Sequence, residues 1–144
     1  MMKKLHFIII IGFLVLVNKG LSQTFSGSGG AIPDNGAAPT CFPVTVSNVG
    51  TINNTYGLAT VCLDITHTWD ADLEISLHAP DGTVVNLAIQ EGGSGDNFTG
   101  TCFTGTATQS ITNGTAPFTG NYLPAEPLGT FNNGMNAKIG RAHV

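Results

Sequence analysis

A chain of 144 residues has room for one domain around one core. Nineteen glycines and a charged fraction of only 10% favour short strands and turns over helices. All five basic residues, Lys3, Lys4, Lys19, Lys138 and Arg141, lie near the ends, so the body from Gln23 to Ala137 carries nine acids and no Lys or Arg. Such a surface repels phosphate backbones, which makes nucleic acid a poor partner, and attracts divalent cations or a basic neighbour. It also serves simply to keep a domain soluble.

Residues 1–22 begin with Lys3 and Lys4, continue in an apolar run from Leu5 to Val17 and end on the small residues Gly20 and Ser22. This is the layout of a secretory signal peptide, and the run is short of the ~20 apolar residues that a membrane-spanning helix needs. Export is expected, with no membrane insertion after cleavage. Residues 23–40 are rich in Gly, Ser, Ala and Pro with nothing periodic to bury, and read as a leader or linker.

The domain is expected over residues 41–137. Cys41–Val49 and Gly57–Trp69 read as the first strands; in the second, Val61, Leu63 and Ile65 alternate with Cys62, Asp64 and Thr66. After the acidic corner Asp70-Ala71-Asp72, the apolar residues Leu73, Ile75 and Leu77 recur every second position, with Glu74, Ser76 and His78 between them. Pro80-Asp81-Gly82 supplies a reversing turn, and the next run places Val85, Leu87 and Ile89 on one face, completing a β-hairpin. Glu91 to Thr101 reads as a polar glycine loop, Cys102-Phe103 as a short apolar patch, and Thr104 to Ile111 as a strand or turn. The prolines around Ala116 to Pro124 predict a packed loop and exclude a central strand there.

Several of these stretches, HTWDADLEISL, APDGT, GGSGDNFTGT and SITNGTAPFTGNYLPAEPL, occur in the order found in the P domain (P/Homo B) of kexin- and furin-like proprotein convertases. The resemblance runs from about Val44 to Asn136 and is strongest to the versions found in secreted bacterial proteases. It implies an all-β, jelly-roll-like antiparallel β-sandwich of the galactose-binding-like kind. Phe131-Asn132-Asn133-Gly134 resembles the turn that precedes the last strands of such a domain, but Lys138 to Val144, KIGRAHV, looks like the translation of a sequencing adapter. The expectation is therefore a partial domain over 41–137 and a non-native tail over 138–144. The resemblance further implies a non-catalytic accessory part of a larger secreted protein, linked to serine-type, subtilisin-like proteolysis by folding or stabilising a protease domain in the same chain; metalloprotease partners also occur. The other open class is a cell-surface adhesion or carbohydrate- or protein-binding module.

The residues offer little catalytic equipment of their own. A serine protease needs a nucleophile, a base and an orienting carboxylate in mutual reach. His67 and His78 are the body's bases, and Gly92-Gly93-Ser94-Gly95-Asp96 is explained by a flexible loop. No catalytic residue is assigned. Calcium is the one cofactor the donor set suits, with Asp70, Asp72 and Asp96 as leading ligands, although turn formation accounts equally for aspartates there and fully for Asp81. Three scattered cysteines and two histidines lack zinc-ligand spacing. In an oxidising compartment one pair among Cys41, Cys62 and Cys102 is expected to bond. The spacing does not fix which pair, and Cys62 with Cys102 is the working choice. Trp69, Tyr56, Phe118 and Tyr122 would be the candidates for sugar stacking, and Asn53, Asn97 and Asn113 begin N-x-[ST] sequons.

Overall fold

The computed structural model describes residues 22–33, 39–50, 52, 57–132 and 141–143. Residues 1–21 of the expected signal peptide, 1–22, and the expected turn at Asn133-Gly134 lie outside the described residues. Seven strands carry the fold: β1 (Cys41–Phe42), β2 (Thr60–Ile65), β3 (Glu74–His78), β4 (Val84–Ile89), β5 (Phe98–Thr104), β6 (Phe118–Tyr122) and β7 (Arg141–His143). Three short 3-10 turns, Asp70–Asp72, Ile111–Asn113 and Leu128–Asn132, lie between them, and the described residues contain no α-helix. One sheet has the order β1-β7-β3-β4 and the other β2-β5-β6. The molecule is thus an all-β sandwich. All pairings are antiparallel except β5 with β6, which run parallel.

The β3–β4 hairpin forms where the alternation places it. Ala79 donates to the Thr83 carbonyl at 2.8 Å, the Gly82 N–H reaches the Ala79 carbonyl at 3.0 Å, and Gly82 takes φ 92°, which a residue without Cβ adopts freely. The Thr83 N–H donates to Asp81 Oδ1 at 2.8 Å, so this aspartate does close the turn. Leu73, Ile75, Leu77, Val85 and Leu87 are buried as expected. Ile89 is not: it is 41% exposed. The register shifts between Ile75 and Ser76, whose partners are Ala88 and Asn86, leaving Leu87 as the extra residue of a bulge. That insertion reverses the alternation beyond it, burying Ala88 and turning Ile89 outward.

Two expectations change in the second half. The glycine loop is shorter than predicted, because Phe98 to Thr104 form β5 and pair with β2. The segment expected to be a packed loop carries β6, which starts after Pro117, ends before Pro124 and occupies a terminal position in the strand order. Both strands supply the largest core groups. Phe98, Phe103 and Phe118 are completely enclosed; Phe98 stacks on Phe118 at 4.6 Å, and Phe118 meets Tyr122 edge-on at 5.8 Å. Buried Thr101 donates its hydroxyl to the Phe118 carbonyl at 2.7 Å, so the polar atom inside this pairing is satisfied.

β1 is two residues long where a nine-residue strand was expected, Pro43 following it directly. The leader is more engaged than a linker: residues 27–32 line a cleft of ≈ 640 Å³ whose walls include Val61, Leu63, Ile75 and Leu77, and Ile32 packs against the core. Cys62 and Cys102 face each other across β2 and β5 and are disulfide-bonded, S–S 2.08 Å. Cys41 is exposed. The segment after β6 covers the outer side of β4, with Ala125 and Glu126 donating to the Leu87 and Asn86 carbonyls, each at 2.9 Å.

The bulge makes a sharp prediction. Leu87→Ala should lower the stability of the chain in urea titration by about 2–5 kcal/mol through the cavity it leaves, whereas Ile89→Thr should change it by no more than about 0.5 kcal/mol. Equal losses at the two positions would mean that the alternation runs through unbroken.

Candidate functional site

The concentration of chemistry lies where the end of β2 meets the 91–97 loop. Here the chain turns through His67, Trp69 and the 3-10 turn Asp70–Asp72 before entering β3. Backbone bonds sew the turn to the loop: the Asp70 N–H donates to the Gly95 carbonyl at 2.9 Å and the Ala71 N–H to the Gly93 carbonyl at 3.1 Å. Asn97, at φ 75°, gathers three elements. Its Oδ1 accepts the His67 N–H at 3.0 Å, its own N–H donates to Asp70 Oδ1 at 2.9 Å, and its carbonyl accepts the Phe118 N–H at 3.0 Å. Gly92 makes the approach feasible. A Cβ there would stand 2.7 Å from the Phe118 ring and 2.9 Å from Asp70 Cβ, at a φ of 93° that L side chains avoid.

Asp70 is fully buried. Its Oδ1 is satisfied by Asn97, but Oδ2 has no hydrogen-bond partner. Burial pushes its carboxyl above the usual carboxylate value; the Asn97 N–H and the nearby His67 oppose this, while the charge of Asp96 adds to it. Asp72 and Asp96 are exposed. The three predicted calcium ligands thus differ in kind, and among the described residues no group of three or more His, Cys, Asp or Glu is gathered to hold a metal ion. Nothing in the sequence separates Asp70 from Asp72; the 3-10 turn directs one inward and leaves the other in water. Asp81 is exposed, and its carboxyl is held below the ordinary value by the Thr83 hydrogen bonds.

The histidines have local duties. The ring Nδ1 of His67 lies 3.0 Å from the Trp69 carbonyl and 3.2 Å from the Trp69 nitrogen, the tautomer deciding which bond forms. His78 Nε2 lies 3.0 Å from Ser76 Oγ, two neighbours on the wet face of β3. Both residues are half-buried and two apart on one strand. A hydroxyl–imidazole contact becomes a catalytic device only with an orienting group and oxyanion donors around it. Ser94 is exposed in the glycine loop. Of the aromatic candidates, Phe118 and Tyr122 are buried and Trp69 is 52% exposed, while Tyr56 lies outside the described residues. Among the sequons, Asn113 is exposed, Asn97 is engaged as above and Asn53 is outside the described residues.

Comparison with known proteins finds a family match that spans this corner. Residues 57–116 match the model of the proprotein convertase P-domain. A protein of Streptomyces exfoliatus described as leupeptin-inactivating enzyme 1 is 42% identical over 83 residues, which cover 58% of this chain and 18% of that protein. No solved structure matches.

Two measurements test the corner. Gly92→Ala should destabilise the chain by more than the ~1 kcal/mol typical of surface changes, because it adds a clash to an unfavourable φ. For Asp70 the folded value lies above the unfolded one, so its contribution is fully present below about pH 3.8 and is lost as pH rises through the folded value. In chelator-containing buffer, the stability difference between the chain and Asp70→Asn should therefore shift in favour of the chain as pH falls from 7 towards 4, read by urea unfolding. The Asp81 contribution has the opposite sign and is lost only below the ordinary carboxylate range.

Proposed function

We propose, from the match of residues 57–116 to the proprotein convertase P-domain, that this chain is a non-catalytic accessory domain of a larger exported protein, folding with and stabilising a protease domain of the serine, subtilisin-like type. The observation that carries this reading is the family match together with the span of the relative, since the chain corresponds to 18% of a much longer protein named as an enzyme. Leader-directed export fits the basic, apolar and small-residue order of residues 1–22, and no helix among the described residues is long and apolar enough to cross a membrane. The partner surface would be complementary to a body that carries nine acids and no Lys or Arg. A cell-surface binding module is the second reading, favoured by the half-exposed sole tryptophan, Trp69, at the acidic corner.

Deleting residues 41–137 from the full-length gene product should abolish or sharply reduce the yield of folded, active protease, while the 144-residue chain alone hydrolyses no general peptide substrate. Undiminished protease yield after deletion would shift the balance to the binding module. Peptide cleavage by the chain alone, lost in Ser76→Ala or His78→Ala, would overturn the non-catalytic reading outright.

A further inference from the structure

The run of glycine and serine over residues 26–30 suits a flexible linker, in which every glycine is equivalent. Their surroundings make them unequal. A Cβ on Gly27 would stand 2.8 Å from the Pro43 carbonyl oxygen and 2.9 Å from Val44 Cγ2, and one on Gly30 would stand 3.1 Å from the Phe42 ring, whereas Gly29 has nothing within 4 Å. The leader backbone therefore lies directly on residues 42–44, at a separation that only glycine permits at position 27. The same segment, residues 27–32, lines the cleft of ≈ 640 Å³, with Val61 and Leu63 of β2 on one wall and Ile75, Leu77 and Leu87 of the other sheet facing them. Ile32 packs against the core, and Phe25, just ahead of the segment, is half-buried.

We propose that residues 27–32 are a strap that closes the gap between the two sheets and lifts without unfolding them. The closure rests on packing. No backbone hydrogen bond between described residues ties 22–33 to the rest of the chain, whereas the strands beneath are held by their ladders and by the Cys62–Cys102 disulfide. Packing contacts are individually small and are lost together when one backbone is pushed away from another. A segment held in this way opens at a lower cost than the sheets it covers. Lifting it uncovers an apolar slot bounded by both sheets, so the strap sets when that interior is open to the outside. The leader is thus a lid as well as a spacer, whether or not the domain serves a protease.

The test uses the purified chain and chymotrypsin, which cuts after aromatic residues and so reports two events in one digest. Cleavage after Phe25 requires the strap to lift, and cleavage after the enclosed Phe98 and Phe118 requires the sheets to open. In the unsubstituted chain the cut after Phe25 should be slower than in a synthetic peptide of residues 22–33. Gly27→Ala should speed that cut by about tenfold or more, because crowding a packed contact shifts the open population by such a factor and cleavage follows that population. It should also raise the fluorescence of anilinonaphthalene sulfonate, which reports exposed apolar surface. Gly29→Ala, whose Cβ meets nothing, should leave both readings unchanged, and neither variant should speed the cuts after Phe98 and Phe118. Peptide-like cutting after Phe25 in the unsubstituted chain, equal readings from the two substitutions, or acceleration at Phe98 and Phe118 that keeps pace with Phe25 would each overturn the strap.

Discussion

The structure depends on the hydrogen bonds gathered at Asn97. Through one residue, the chain leaving β2 at His67, the turn entering β3 at Asp70 and the start of β6 at Phe118 are held together, by bonds of 3.0, 2.9 and 3.0 Å. These elements belong to both sheets, so the knot fixes how the two layers meet at this end of the sandwich. Asparagine suits the position because it tolerates φ 75° and brings a side-chain acceptor to the His67 N–H. Each bond is modest in net worth, but losing any one would strand a polar group beside the enclosed Phe98–Phe118 stack, where the penalty is larger than the gain.

The packing around the knot explains the glycines. Gly92 lies where the Phe118 ring and Asp70 Cβ converge, and Gly114 meets the other edge of the same ring, a Cβ there standing 2.7 Å from Phe118. The ring is thus clamped between two backbones, which is how a strand as short as β6 is held in the sheet. The disulfide from Cys62 to Cys102 ties β5 to the neighbour on its other side. β5 is therefore secured on one side by a covalent bond and on the other by aromatic contact. With few charged residues and a small core, these local devices supply the order that a larger hydrophobic volume would otherwise provide.

Much of this was legible in the sequence, and the failures have physical causes. The hairpin could be read because period-two alternation and Pro-Asp-Gly chemistry reinforce each other, and the P-domain motifs gave the sandwich. Ile89 could not be read correctly, since a bulge is a property of the pairing between two strands and leaves no mark on one of them. β5 was hidden because Thr99, Gly100 and Thr101 break its alternation, the buried positions being Phe98, Thr101 and Phe103. β6 was hidden by flanking prolines that bound the strand without entering it. The acidic corner was visible as chemistry, but not the division of labour within it. Asp70 and Asp72 are separated by one residue, and it is the 3-10 turn, its backbone bonds to Gly93 and Gly95 and the Asn97 bond to Oδ1 that hold Asp70 inward.

That division bears on function. A domain selected for stability alone would place an amide or an apolar group at residue 70, because the Asn97 bond asks only for an acceptor and an asparagine side chain would provide one without a charge to desolvate. Keeping a carboxylate there, in a body with nine acids and no Lys or Arg, adds repulsion and leaves an oxygen unpaired. The fold bears this cost at the same corner that exposes Trp69 and joins both sheets. A charge that works against the fold is thus located where three elements converge, so the protonation state of Asp70 bears on how firmly the 91–97 loop is held.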